Sequence, residues 1–192
     1  MDIIDLPSEV LKERLFRMIK ERSLKISEEP IFKLSSGKLS RFYLDLKRIT
    51  LDPEGGFLVG RLMYELIKPF GVSAVGGLTL GADPIAYAVS MVSFLKGEPL
   101  KPFVVRKQPK GHGTGKLIEG NLERGMRVAV VEDVVTTASS SLKAVRACRN
   151  EGLEVVGVFC IVDREEGGRE NLSEEGLKLY SLFRLKDFLE SG

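Results

Sequence analysis

Glu132 and Asp133 stand side by side at the end of an apolar run, 128–131, and are followed by Val134, Val135 and then Thr136, Thr137, Ala138, Ser139, Ser140 and Ser141. Two adjacent carboxylates repel each other, and they are costly at a buried strand end unless hydroxyls or cations partner them. Such a pair is wrong for phosphate but right for ribose hydroxyls or a phosphate-bound magnesium. The small and hydroxyl residues behind it suit phosphate, because loop amides and hydroxyls donate to it and a helix N-terminus adds a favourable dipole. Residues 128–140 therefore read as a cradle for a phosphorylated sugar. The plainer reading is a pair that only ends a strand and caps a turn. There is no G-x-x-x-x-G-K-[ST] pattern and no closing lysine, which points to a sugar monophosphate in place of a nucleoside triphosphate.

A second constellation runs Arg106, Lys107, Gln108, Pro109, Lys110, Gly111, His112, Gly113, Thr114, Gly115, Lys116. From 100 to 118 there are five Lys or Arg and no acidic residue, and the protein's one histidine sits in the glycine-rich centre. Alternate glycines disfavour helix and strand. A mobile cationic loop suits a lid that closes over a highly anionic substrate and stabilises a leaving pyrophosphate. A nucleic-acid contact and a plain solvated loop are the competing readings.

Three further segments carry weaker signals. The stretch 76–84, GGLTLGADP, is a tight strand-to-helix turn with Asp83 as expected N-cap and Pro84 at the first helical position. Its amides could hold a pyrophosphate oxygen, although a well-built turn explains it as well. Asp163 and Arg164 end an apolar run. An arginine there pairs with a carboxylate or planar acceptor edge, or makes a surface ion pair with Glu165 or Glu166. Finally, 35–45 is a polar turn backed by Phe42 and Tyr43, which serve a small core or cover a flat substrate.

The elements that must position these residues alternate. A helix runs from Ser8, as N-cap, to about Arg22, with Val10, Leu11, Leu15, Met18 and Ile19 at helical spacing. Strands over 31–34 and 42–46 form a hairpin, a small N-terminal hood. Helices over 53–68, 84–94 and 141–150 then interleave with strands over 72–77, 103–106, 128–131 and 155–163. This pattern predicts an α/β fold, a parallel twisted sheet flanked by helices on both faces, with ligands bound beyond the carboxyl ends of the strands. The length, 192 residues, suits a single domain over 1–192, with about 1–50 as helix and hood and about 51–192 as α/β core.

Composition narrows the partners. A net charge of +2 gives no argument for nucleic acid. No apolar run approaches the roughly 18 residues of a membrane span, and the acidic start has no secretory pattern. Cys148 and Cys160 lie in apolar contexts and read as buried thiols. A cytoplasmic protein is expected, with no membrane partner.

Together these segments resemble the orotate branch of the type I phosphoribosyltransferase family. VVEDVVTTASSS is similar to the family's phosphoribosyl-pyrophosphate motif, RKQPKGHGTGKLIEG to the catalytic loop of the orotate branch, and LSSGKLSRFYLDLKR to its N-terminal S-G-x-x-S-x-x-Y-x-D segment. The matches span roughly 31–164 in family order. The resemblance implies transfer of a phosphoribosyl group from 5-phosphoribosyl 1-diphosphate (PRPP) to N1 of orotate, giving orotidine 5'-monophosphate and pyrophosphate. It implies that Glu132 and Asp133 hold ribose hydroxyls, with Asp133 catalytic. Val134, Val135, Thr136, Thr137, Ala138, Ser139 and Ser140 would bind the 5-phosphate side, and Arg106, Lys107, Lys110 and His112 the pyrophosphate. Lys110 and His112 would be catalytic, and Thr136 and Arg164 would meet orotate. Mg²⁺ would be the cofactor, carried mainly by PRPP and without a direct side-chain ligand. A homodimer with shared active sites is implied. Two departures stand out: Ala138 and Ser139 replace usual glycines, and Ser35 or Leu80 falls where some relatives place a lysine. The rival readings are a type I enzyme using a purine or uracil, and a non-catalytic regulator that senses PRPP.

Overall fold

The computed structural model describes residues 6–33, 37, 39–109 and 116–190. Helix α1 (Ser8–Arg22) buries Leu11, Leu15, Met18 and Ile19, the stripe its spacing predicts. Ser8 is not its cap. Pro7 occupies that position, and the Ser8 hydroxyl instead donates to Glu65 Oε2 at 2.8 Å.

The hood departs from the expected single hairpin. Strand β1 (Leu24–Ile26) pairs antiparallel with β4 (Phe42–Leu44), and β2 (Phe32–Lys33) pairs with β3 (Leu39–Ser40). The register sets Leu24 against Leu44, and both pack on the main core. That shared burial selects β1 over 31–34 as the partner of 42–44. Tyr43 lies against Phe32, ring centroids 5.7 Å apart, and joins the two ribbons.

A short helix α2 (Lys47–Thr50) leads to α3 (Pro53–Ile67). Asp52 caps α3 by accepting from the Glu54 and Gly55 amides, both at 3.0 Å, and Pro53 starts the helix where a missing N–H does no harm. Strand β5 (Ala74–Leu78), helix α4 (Asp83–Leu95), strands β6 (Lys101–Val105) and β7 (Ile118–Glu119), and strand β8 (Arg127–Val135) follow. The chain closes with α5 (Ser139–Asn150), β9 (Glu154–Asp163), α6 (Gly168–Glu174), β10 (Leu179–Arg184) and α7 (Leu185–Glu190).

The six-stranded sheet has the order β10-β9-β8-β5-β6-β7, parallel except for β7. Burial along β8 alternates between two cores: Ala129 and Val131 face α1, α3 and α4, whereas Val128 and Val130 face α5. Covering both faces is why the strand reads as a continuous apolar run. Strand β8 also runs further than expected. Its ladder with β9 continues through Glu132↔Cys160, Val134↔Val162 and Val135↔Asp163, so the acidic pair lies inside the strand. The chain crosses from β5 to β6 on one side and from β8 to β9 on the other. The β5–β8 seam is thus the switch point at whose carboxyl end α/β sheets bind ligands. Among the described residues, no helix is long and apolar enough to cross a membrane.

Replacing Asp52 with Ala leaves two amides of the α3 terminus uncapped and is expected to lower stability by about 1 kcal/mol. Urea unfolding measures this, and an unchanged midpoint would count against the cap.

Candidate active site

Glu132 is only 6% exposed, and among the described residues its Oε2 has no hydrogen-bond partner. Burial pushes its carboxyl well above the ordinary range, and the neighbouring Asp133 pushes it further. Asp133 turns back on the strand, its Oδ1 accepting from the Val134 amide at 2.8 Å. Its Oδ2 lies 3.7 Å from Lys47 Nζ, which also lies 3.5 Å from Asp45 Oδ1. Burial pulls Lys47 down, but Asp133 and Asp45 outweigh it and hold the ammonium above its usual pKa. Lys47, at the start of α2, is therefore the cation of the acidic pair. Sequence reading did not single it out, because the contact joins residues 86 positions apart.

The turn after β5 closes over the same carboxylates. A Cβ on Gly81 would lie 2.9 Å from both Asp133 Oδ1 and Glu132 Oε1, so only glycine fits without moving the pair. Asp83 is not the N-cap of α4. Ala82 holds that position, and Asp83 is the first helical residue, accepting from the Thr79 hydroxyl at 2.6 Å. Pro84 accordingly stands second.

Beyond Asp133, Val134 and Val135 complete β8, and the free loop shrinks to Thr136, Thr137 and Ala138. Ser139 and Ser140 are the first residues of α5, where backbone amides lack helical partners. The segment folds around a cavity of about 60 Å³ lined by Glu132 and residues 134–141. Ser141 lines it with a buried hydroxyl that has no partner among the described residues. Ala138 has φ 62°, ψ 14°, the left-handed conformation that favours glycine. Helix α6, absent from the sequence reading, backs the loop. Asn171 Nδ2 donates to the Thr137 carbonyl at 2.9 Å, and a Cβ on Gly168 would collide with Val135 and the Thr136 carbonyl.

Arg164 sits beside this loop, its amide donating to the Val135 carbonyl at 2.9 Å. Its side chain is 4% exposed: Nε donates to Glu166 Oε1 at 2.8 Å and Nη2 to the Ser40 hydroxyl at 3.0 Å. The ion pair with Glu166 that sequence allowed is present, and the hood contact is additional. Asp163 is wholly buried and held by Arg169 Nε at 2.6 Å.

Arg106 and Lys107 follow the end of β6, separated from β8 by β5. Arg106 Nη1 lies 3.4 Å from Glu119 Oε1, and Lys107 is exposed. Both line a groove of about 670 Å³ shared with Thr79. Lys110 and His112 lie outside the described residues, as does Ser35. A further groove, about 550 Å³, opens at the amino ends of β5, β6 and β8 and contains none of the predicted site residues.

Residues 48–175 match the phosphoribosyl transferase domain family. An orotate phosphoribosyltransferase of Aquifex aeolicus is 66% identical over 178 residues, covering 93% of this chain and 97% of that protein. The chain belongs to the orotate phosphoribosyltransferase family. A relative from Bradyrhizobium diazoefficiens is 43% identical over 94% of the chain and 97% of its own length. Among solved structures, the orotate phosphoribosyltransferase of Mycobacterium tuberculosis in complex with 5-phospho-α-D-ribosyl 1-diphosphate is 42% identical with a TM-score of 0.76, covering 93% of this chain and 98% of that one. The acidic strand end, the loop and Arg164 all lie within the matched residues 48–175.

The raised pKa of Glu132 predicts a pH effect. The folded protein keeps this proton to higher pH than the unfolded chain. Stability from it is therefore full below about 4.5 and is lost as pH rises toward the raised native value. Glu132→Gln removes that loss, so its stability relative to the wild type is expected to grow between pH 5 and pH 8. Urea midpoints at both pH values read the difference, and parallel shifts would contradict it.

Proposed function

We propose that the β5–β8 switch point is where this orotate phosphoribosyltransferase performs its reaction: PRPP and orotate give orotidine 5'-monophosphate and pyrophosphate, a step of pyrimidine biosynthesis. The observation that carries this reading is the acidic pair, Glu132 buried and Asp133 part-buried, beside a small-residue loop, with a Glu132 oxygen and a Ser141 hydroxyl at one cavity that have no partner among the described residues. Glu132 and Asp133 accept from the ribose 2- and 3-hydroxyls. The loop 136–138 and the first amides of α5 take the 5-phosphate. Val134 and Val135 have their side chains in or against the cores, so any contact they make is through the backbone.

The chemistry needs little covalent help. N1 of orotate forms a bond to the anomeric carbon as the bond to pyrophosphate breaks, through an oxocarbenium-like transition state. The protein positions two anions, excludes water and neutralises the leaving group. Arg106, Lys107 and Lys110 supply positive charge, and His112 gives a hydrogen bond or a proton. Hard oxygen donors suit Mg²⁺, and the oxygens of PRPP itself would supply them while Glu132 and Asp133 hold the ribose hydroxyls. When bound, mainly through PRPP, the ion neutralises pyrophosphate charge.

The working form is a homodimer with shared sites, in the cytoplasm. Its support is the outer face of α4, where Tyr87, Met91, Phe94 and Leu95 are 55–77% exposed along one stripe.

Incubation with PRPP, Mg²⁺ and candidate bases is expected to consume orotate, seen as loss of its absorbance. Consumption of a purine without orotate would overturn the assignment. Lys110→Ala is expected to lower kcat by about 10–10³, and unchanged turnover would remove the lid from the mechanism. If the loop acts across the dimer, mixing the impaired Lys110→Ala and Asp133→Asn variants raises activity above that of either alone. No such rise after subunit exchange would place lid and acidic pair in the same chain's site.

A further inference from the structure

We propose that Glu166 is a positioning residue that aims Arg164 at orotate, an inference that rests on reading Arg164 as an orotate contact. A guanidinium has two usable edges, Nε with one terminal nitrogen and the two terminal nitrogens together. In Arg164 the first edge is closed, because Nε and Nη2 each lie 2.8 Å from the same oxygen, Glu166 Oε1. The second edge faces the hood. Nη2 donates to the Ser40 hydroxyl at 3.0 Å, and Nη1 makes only a long contact, 3.5 Å, to the Phe42 carbonyl.

The two carboxylate-binding modes open to a free arginine are thereby reduced to one. A planar acid arriving between Arg164 and the hood meets the terminal edge, where it takes the place of the Ser40 hydroxyl and the Phe42 carbonyl as acceptor. Its backbone is fixed as well, through the bond from the Arg164 amide to Val135 at the head of the phosphate loop. The side chain is almost wholly buried, whereas Glu166 is 34% exposed. Water that can reach Glu166 therefore has little access to the edge reserved for substrate. Without Glu166 the guanidinium can rotate about its last torsions and lose this alignment. The charge of Glu166 also balances the buried cation while no substrate carboxylate is present. The end of β9 supplies the arginine, and the residue two positions later orients it.

Steady-state kinetics of the full-length protein test this with three variants. Glu166→Ala is expected to raise the KM for orotate about tenfold, as losing a supporting partner commonly does, while kcat and the KM for PRPP stay within about twofold. Glu166→Gln retains an oxygen for the Nε/Nη2 edge and is expected to recover most of the orotate KM, which a merely structural or net-charge role would not produce. Arg164→Ala is the control. If it raises the orotate KM and Glu166→Ala does not, positioning by Glu166 is wrong and the Arg164 contact stands. If Arg164→Ala leaves the orotate KM unchanged, the reading of Arg164 itself falls. A Glu166→Ala loss spread equally over both substrates, without rescue by Gln, also overturns the proposal.

Discussion

The constraint on which the rest depends is the placing of two neighbouring carboxylates, one buried and one part-buried, inside a central strand. Glu132 is almost fully removed from water with one oxygen unpartnered among the described residues, and Asp133 follows it directly. Burying like charges together is among the least favourable arrangements a strand end can hold. Three otherwise unrelated parts of the molecule answer to it. The turn after β5 must carry glycine at 81, since a methyl group there would press on both carboxylates. The segment linking hood to core delivers Lys47, whose ammonium lies 3.7 Å from Asp133. The β9 ladder must extend past Cys160 so that the strand does not fray where the charges sit.

The hood is too small to hold itself. Its ribbons are two or three residues long, well short of independent stability. Apolar packing anchors it at Leu24 and Leu44, and polar contacts anchor it at Arg164 and Lys47. Both polar anchors are residues of the candidate site, so the hood's position and the site's charge state are coupled through the same side chains.

Much of this was legible in sequence, unevenly. The α/β alternation and the continuous apolar runs of β8 and β9 announced a sheet covered on both faces. The acidic pair, the small-residue loop and the Arg164 corner were visible because they are contiguous. What stayed hidden was non-local. Lys47 reaches Asp133 only after folding. Strand β1 is three residues long and gains its pairing from burial, not from propensity. Helix α6 supports the loop through a single amide from Asn171 and a glycine that permits close approach. The two N-caps assigned to Ser8 and Asp83 failed for one reason: each side chain bonds elsewhere, to Glu65 and to Thr79 respectively.

Ala138 has a consequence of a different kind. A non-glycine residue in the left-handed region costs about 1–2 kcal/mol, so the surrounding packing must impose this shape. An alanine also samples fewer conformations than a glycine when the chain is unfolded. The loop's conformational freedom is thus surrendered when the protein folds, before any sugar phosphate arrives. Recognition at this corner becomes a meeting of rigid surfaces, with the ordering entropy of the backbone already removed from the binding equilibrium.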